Sequence, residues 1–339
     1  MSLPSTGRAL QVLEPGRCEI VGIPIPEPAE DEVLIEVQAC STCTNWELCM
    51  WEGRDIFARP GYPKYPLNPG APGHEAAGRV VALGAKVGEL RVGDPVAVKP
   101  SLRGHENDAH ATHIVRPESE VAVVAEHVPP EEAAALEMAM CALRTAELAR
   151  EYHCARACQS PGACSGETGA VIVGLGPAGI LHLQSTRLAG ADKVVGVDPL
   201  AHRREVAAPF ADAVFAPDDP ELGPYVGAIQ DRIVVECSGA APAMATAVSL
   251  ASGVVHVFGV PDGKWVYDQQ AWGRSVAILS FHWRNRQQAP VLREAARLLG
   301  EGKVDTRCLI SAVLPYERYA EGLAMLKRRE ALKVVFQWA

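Results

Sequence analysis

No apolar run in this 339-residue chain approaches the roughly 20 residues that a membrane-spanning helix needs. A surplus of positive charge is also lacking. Lys and Arg number 32 against 41 Asp and Glu, a net charge of −9. Nucleic-acid binding rests on a Lys/Arg surplus, so a phosphate-backbone partner is excluded and a solvated acidic surface expected. Met1 to Leu10 carries neither the charged nor the apolar block of a signal peptide, so the expected location is the cytoplasm. No internal repeat, low-complexity tract or heptad run occurs. The ten cysteines form no compact secreted framework; as reduced thiols they point to metal binding or chemistry rather than disulfides.

What is present suggests two domains, given the length and 48% hydrophobic residues. The first third reads as β. Glu32 to Gln38 alternates apolar and polar residues, as a half-buried strand does. Arg79 to Leu83 and Pro95 to Lys99 are further short strands, with turns at Gly84, Gly88 and Gly93-Asp94. Together they suggest a barrel-like or sandwich module. The texture changes near residue 130. Pro129-Pro130-Glu131-Glu132 has the Pro and acids of a helix start, with the helix running to about Arg150. A Cys- and Gly-containing connection, His153 to Gly169, follows. From Ala170 strands and helices alternate, which implies βαβ units and a parallel sheet. The tail adds a helix at Val291 to Gly300 and a strand in KVVFQW.

The clearest motif is Gly174-Leu175-Gly176-Pro177-Ala178-Gly179, between an apolar strand and a helical stretch. Gly174 permits a tight turn, Gly176 lets the backbone approach a pyrophosphate, and Gly179 lets helix pack on strand. The helix start at Pro177 and Ala178 then offers unpaired amides and a positive dipole end to phosphates. A second strand, Lys193 to Val197, ends in Asp198. A carboxylate there accepts hydrogen bonds from the ribose hydroxyls and repels a 2′-phosphate, favouring NAD over NADP. Arg203 and Arg204 keep the second cofactor open, since an Arg accommodates that phosphate. The competing reading is a glycine-rich turn that binds nothing.

Cys43, Gly73-His74-Glu75 and Glu137 supply thiolate, imidazole and carboxylate, all good zinc ligands, but no local spacing joins them. Alone, Cys43 reads as a small buried hydrophobe and His74 as a structural or surface residue. Glu137 is odder. It sits in EEAAALEMAMCAL, where the apolar pattern would bury it, and a buried carboxylate is costly unless paired or metal-bound.

On these segments the chain resembles the zinc-containing medium-chain dehydrogenase/reductase superfamily over nearly its whole length. PGHEAAGRVVALGAKVGELRVGDPVAV, ACSTC, Ala170 to Asp198 and VLPYERYAEGLAMLKRREALKVVF carry the likeness. Glu137, in ALEMAMCALRTA, falls where polyol- and threonine-type members carry a glutamate. The resemblance implies a GroES-like β-barrel catalytic domain with a Rossmann doubly wound parallel sheet inserted. The expected boundaries are 1–149, 150–273 and a closing segment 274–339. It implies Zn2+ on Cys43 and His74, with Glu75 and Glu137 as ligands or close neighbours, and NAD on the glycine motif, Asp198 and Arg203. The implied activity is hydride transfer between NAD(H) and a secondary alcohol, polyol or ketone. Homodimers or tetramers follow, paired through the last strand of the cofactor sheet, expected at Val254 to Val260. A zinc-free NAD(P)H reductase of the same superfamily and a non-catalytic NAD-binding protein are the alternatives.

The chain also departs from the family. Cys43-Thr44-Asn45-Trp46-Glu47 places Asn45 at the hydroxyl position of the usual proton relay, and an amide cannot pass a proton as a hydroxyl can. Trp46 replaces an Asp that orients the ligands. A one-residue shift would let Thr44 serve the relay and Glu47 stand in for that Asp. Trp46 and Trp51 line the substrate pocket or pack within the barrel. The family's four-cysteine lobe is missing. His105, Glu106, Asp108, His110 and His113 stand there instead and read as a polar loop. His153, Cys154, Cys158 and Cys164 offer a second, non-standard metal set or a reduced loop. Cys40-x2-Cys43 fits a redox CxxC poorly in a barrel context. Arg59 and Lys64, in the Pro- and Tyr-rich insert Arg54 to Pro69, read as contacts for an anionic substrate group or as solvated charges. Phe281 to Arg286, with His282 and Arg284, reads as a pocket or surface segment.

Overall fold

The structure is a computed structural model that describes residues 5–57, 59–100, 108–157, 168–229, 231–265, 267–280 and 288–338. It comprises two units, residues 1–140 with 287–339 and residues 141–286.

The first unit is the barrel. β1 (Thr6–Glu14) and β2 (Arg17–Pro24) form an antiparallel ribbon. β3 (Glu32–Ser41) leads into α1 (Thr44–Trp51), and β4 (Glu75–Leu83), β5 (Pro95–Val98), β6 (His113–Pro117) and β7 (Val121–Val123) follow. α2 (Pro130–Ala133) comes next, and α3 (Leu136–Ala157) carries the chain into the second unit, which begins at Cys141. The expected single helix from residue 130 is thus two. The Glu132 carbonyl accepts an i+3 bond from the Ala135 amide at 3.3 Å and another from the Thr306 hydroxyl at 2.9 Å, which interrupts the i→i+4 ladder. The second helix also runs past Arg150 and takes in His153.

The parallel-sheet unit contains β8 (Thr168–Val173), α4 (Pro177–Leu188), β9 (Lys193–Val197), α5 (Ala201–Ala207), β10 (Ala213–Phe215), α6 (Leu222–Gly227), β11 (Asp231–Glu236), α7 (Ala241–Leu250), β12 (Val254–Val257), α8 (Gln269–Gly273) and β13 (Ala277–Ser280). The strands lie in the order β10-β9-β8-β11-β12-β13, all parallel. This is the doubly wound Rossmann arrangement, whose order reverses beside β8. The edge strand is β13, not the segment 254–260 expected from the sequence. β12 is flanked on both sides, because a further parallel strand pairs Val254–Val257 with Ala277–Ser280.

The chain returns to the barrel with α9 (Gln288–Gly300), β14 (Ile310–Pro315), α10 (Tyr319–Lys327) and β15 (Lys333–Gln337). The barrel sheet runs β14-β15-β3-β4-β5-β7, with β6 also paired to β3. Its core is built from Val33, Ile35, Val80, Val96, Ile114, Val334, Phe336, Tyr316 and Tyr319. The parallel sheet has its own core around Val171, Val195, Val234 and Val255. β-Branched strand residues dominate both cores, as their pleated packing favours, and Tyr316, Tyr319 and Phe336 add aromatic bulk to the barrel's. Among the described residues, no helix is long and apolar enough to cross a membrane.

Candidate metal centre and nucleotide crevice

Strand register explains how distant residues meet in the barrel. β3 and β4 are antiparallel, with Ser41 opposite Glu75. The chain leaves β3 at Ser41, and Cys43 forms the N-cap of α1. It enters β4 through Gly73 and His74. Gly73 cannot be larger, because a Cβ there would fall 2.7 Å from the His110 backbone nitrogen and ring. Pairing these strand ends therefore sets Cys43 beside His74 and Glu75.

Ligand atoms of Cys43, His74 and Glu75 all lie within 4.8 Å of one another. Glu75 is fully buried. Its Oε2 accepts from the Lys333 ammonium at 2.5 Å and from the Ser41 hydroxyl at 2.5 Å. Its Oε1 has no partner among the described residues. A buried, unpaired carboxylate oxygen costs on the order of 1–3 kcal/mol or more unless something compensates it. Burial works against a charged His74, but Cys43, Glu137 and Glu75 overcome it and raise the imidazole well above its ordinary range. A divalent cation held by the same thiol and carboxylate donors would take the imidazole lone pair in place of that proton. Glu137, in the first turn of α3, is 7% exposed and acts on His74 electrostatically. Thiol, imidazole and carboxylate oxygen within one small volume form a donor set that fits zinc.

Beneath Cys43 lies a second polar layer. Glu47 is fully buried. Its Oε1 accepts from the Cys43 amide at 3.3 Å, and its Oε2 accepts from Tyr319 at 2.9 Å. His110 Nε2 lies 3.1 Å from the same Oε2. His110 Nδ1 meets the Tyr316 hydroxyl at 3.1 Å. Burial opposes charge on His110, yet Cys40 and Glu47 hold it up at about 10. Burial likewise opposes charge on Glu47, and its partners, His110 first, nonetheless lower it.

Other sequence-predicted residues take different places. Thr44 donates its hydroxyl to the Leu332 carbonyl at 3.1 Å. Asn45 Oδ1 lies 3.6 Å from Cys49 Sγ. Trp46 packs against Phe57 and Tyr62 in a satellite core with Leu67, and Trp51 meets Tyr319 edge-on at 5.8 Å. Arg59 pairs with Asp55 at 2.8 Å and stacks on Tyr62, while Lys64 is exposed. The expected polar loop of histidines is corrected in part. His110 is fully buried and His113 lies in β6 at 7% exposure. Ring and carboxylate partners satisfy the first, and His113 meets Thr112 at 3.1 Å. Asp108 binds Arg116 at 2.5 Å. His105 and Glu106 lie outside the described residues. So do Cys158, Cys164 and 281–286, along with the side chain of Cys154. His153 belongs to α3 rather than a loop, with Nε2 2.7 Å from Asp231 Oδ1. Lys333 and Ser41 were not foreseen. A Lys opening an apolar strand carries no local sign that it is buried.

In the parallel-sheet unit two of the motif's three glycines stand where a side chain would be strained or would clash. Gly174 has φ +92°, a conformation that other residues adopt at a cost. A Cβ on Gly179 would sit 1.9 Å from the Gly174 carbonyl oxygen, so the helix can approach only without one. A Cβ on Gly176 would meet nothing nearer than Arg203 Nη1 at 3.9 Å. The backbone there borders open space, as an approach to phosphates requires. Pro177 opens α4, and the first helical bond runs from Ile180 to Gly176, so the Ala178 and Gly179 amides belong to the unpaired first turn. Asp198 is 2% exposed and accepts from the Leu175 and Leu200 amides at 2.7 and 2.8 Å. Arg203 Nη1 stands 3.8 Å from it. Arg204 is committed to the Asp198 and Pro199 carbonyls.

Comparison with known proteins agrees with both halves. Residues 29–129 match the alcohol dehydrogenase GroES-like domain, and residues 177–299 match the zinc-binding dehydrogenase family. L-threonine 3-dehydrogenase of Pyrococcus horikoshii is 28% identical over 97% of each chain. Sorbitol dehydrogenase of Bombyx mori is 28% identical over 92% of this chain and 93% of its own. An Escherichia coli oxidoreductase/dehydrogenase of unknown specificity shares the fold. Its TM-score is 0.82 at 22% identity, covering 98% of this chain and 99% of that one.

Proposed function

The chain belongs to the zinc-type medium-chain dehydrogenase/reductase superfamily, and we propose that it is a zinc- and NAD-dependent dehydrogenase of secondary alcohols or polyols. The convergence of Cys43, His74 and Glu75 within 4.8 Å carries the reading. Cys43, His74 and one or both of Glu75 and Glu137 would hold zinc. Bound zinc would supply Lewis acidity toward the substrate oxygen, and NAD the hydride acceptor. Asp198 would take the ribose hydroxyls through the lone pairs its two amide bonds leave. Arg204 is committed to backbone carbonyls and is poorly placed to welcome a 2′-phosphate, which supports NAD. The polyol and threonine dehydrogenases among the relatives, and Glu137, favour a substrate with neighbouring polar groups. Of the two threonines that flank Cys43, Thr42 accepts from the Val334 amide and Thr44 donates to the Leu332 carbonyl, so a proton path through Thr44 would need its bond to Leu332 to break.

Metal analysis of the purified protein, with an NAD- and NADP-linked screen of alcohols and polyols, tests this. One zinc per active site and NAD-preferring turnover are expected. His74→Ala should lose zinc and at least 100-fold in kcat/KM. Turnover that survives His74→Ala intact points to the zinc-free reductase instead.

The β13 edge supports a homodimer. Its neighbourhood exposes Trp272 at 75%, Tyr267 at 47% and Ile278 at 38%, and an open strand edge is a pairing template. Ile278→Lys should convert the dimer to monomer in sedimentation velocity. A variant that sediments as the wild type does would place the interface elsewhere.

A further inference from the structure

We propose that Glu236 is a positioning residue for the cofactor: it ties the turns that follow β11 and β12 together and holds the first of them against the glycine motif. The inference rests on the nucleotide reading above and adds a residue to it. In a doubly wound sheet the ligand lies outside the carboxyl ends of the strands, where their order reverses. Here that point falls between β8 and β11. Glu236 closes β11, opposite Val173 of β8 on one side and Val257 of β12 on the other. Val173 is the residue before Gly174.

Both ends of Glu236 are engaged. Its Oε1 accepts from the Ser238 amide at 2.7 Å, the Ser238 hydroxyl at 2.6 Å and the Gly239 amide at 3.0 Å. Its Oε2 shares the Gly239 amide at 3.0 Å. Its carbonyl accepts from the Phe258 and Gly259 amides at 2.8 and 3.0 Å. The turn held in this way is tightly walled. A Cβ on Gly174 would come within 3.0 Å of Ser238 Cβ, and a Cβ on Gly259 within 2.2 Å of the Gly239 nitrogen. Gly239 itself has φ +76°. One residue thus links two crevice turns to the bend that opens the phosphate-facing helix α4.

An apolar side chain would serve stability more simply. Ile233, Val234 and Val235 precede Glu236, which is fully buried. Its hydrogen-bond donors are main-chain amides and one hydroxyl, with no cation among them. Burial accordingly pushes its carboxyl above the usual range, and the bonds to Ser238 and Gly239 only partly oppose this. A buried carboxylate without a cation is costly. What valine or methionine cannot do is accept the two amides that the turn aims inward. Without an acceptor, the turn is shared among several arrangements, and apparent cofactor affinity falls in proportion to the competent fraction.

Titration of NADH and of ADP-ribose into the full-length protein tests this. Glu236→Met fills the same length but accepts nothing. It should keep its zinc content and a wild-type-like thermal transition, yet bind both ligands about tenfold more weakly or worse. KM for NAD should rise by a similar factor while kcat stays within a few-fold. Glu236→Gln keeps one acceptor oxygen and should restore most of the affinity. Wild-type affinity in folded Glu236→Met, or a loss confined to kcat, would overturn the proposal. If Glu236→Met does not fold, Glu236→Asp decides. It keeps the charge but is one methylene too short to meet the Ser238 and Gly239 amides together. About a tenfold loss of NADH affinity there supports the role, and unchanged affinity removes it. Wild-type protein that binds neither NADH nor NADPH would instead overturn the nucleotide reading, and this inference with it.

Discussion

Lys333→Met will lower the stability of the barrel by about 3–5 kcal/mol, the usual cost of stripping one partner from a buried ion pair. Lys333 is 1% exposed and Glu75 is fully buried. The ammonium makes three contacts there: Glu75 Oε2 at 2.5 Å, Ser41 Oγ at 3.2 Å and the Thr42 carbonyl at 2.7 Å. Methionine fills much of the volume of the lysine stem, so little of the loss comes from a cavity. The loss comes from a carboxylate left in the interior without its cation. Two relief routes follow from that cause. Removing the charge as well, in Lys333→Met/Glu75→Gln, should restore most of the stability. Supplying a cation should also help, so added zinc should raise the midpoint of Lys333→Met by more than that of the wild type. Urea denaturation of the three proteins, with and without zinc, reads all of this. A Lys333→Met midpoint equal to the wild-type value would mean that the pair is not what compensates Glu75.

That pair also shows where sequence reading stops. The nucleotide motif is legible because its parts are local. Gly174, Gly176 and Gly179 lie in six residues, and Gly174 and Gly179 have a backbone reason that the structure displays. The doubly wound order follows from alternating strands and helices. The metal cluster is different. Cys43, His74 and Glu75 meet because Ser41 stands opposite Glu75 across β3 and β4, and register is not written in spacing. Resemblance to a family supplied the ligands, but not the lysine beneath them. Lys333 opens an apolar strand, where a charge ordinarily marks an exposed end. His110 was hidden for the opposite reason. Polar neighbours made its segment read as a solvated loop, while contacts with Glu47, Tyr316 and Tyr319, all far away in sequence, bury it. The edge strand was misplaced by one, since a four-residue strand after a long connection gives a weak alternating signal.

Acid should unfold the parallel-sheet unit ahead of most comparable domains. Two of its histidines are buried with an orphaned ring nitrogen. His182 is fully buried on α4, donates Nδ1–H to the Ala178 carbonyl at 2.7 Å, and leaves Nε2 without a partner among the described residues. His256, on β12, is 3% exposed, and its Nδ1 has no partner among the described residues. Burial pushes both down to about 4 from the ordinary 6.5, and for His182 the nearby His256 adds to the effect. The unfolded chain therefore binds protons at a pH where the folded chain refuses them. Above pH 6.5 both states are neutral at these sites and nothing is lost. Below it, unfolding gains protons, and stability falls until the folded histidines titrate near pH 4. Each imidazole accounts for about 3 kcal/mol over that window, so the pair removes about 6 kcal/mol. That is comparable to the whole stability of many domains. His110 does not offset the loss, because its stabilisation is already complete below pH 6.5 and is lost only as pH rises from there through about 10. Urea midpoints from pH 7.5 to 4.5 should fall steeply. His256→Gln, which cannot titrate, should recover about 3 kcal/mol at pH 4.5 relative to its difference from wild type at pH 7.5. Parallel pH profiles for the two proteins would show that His256 is not the source of the acid sensitivity.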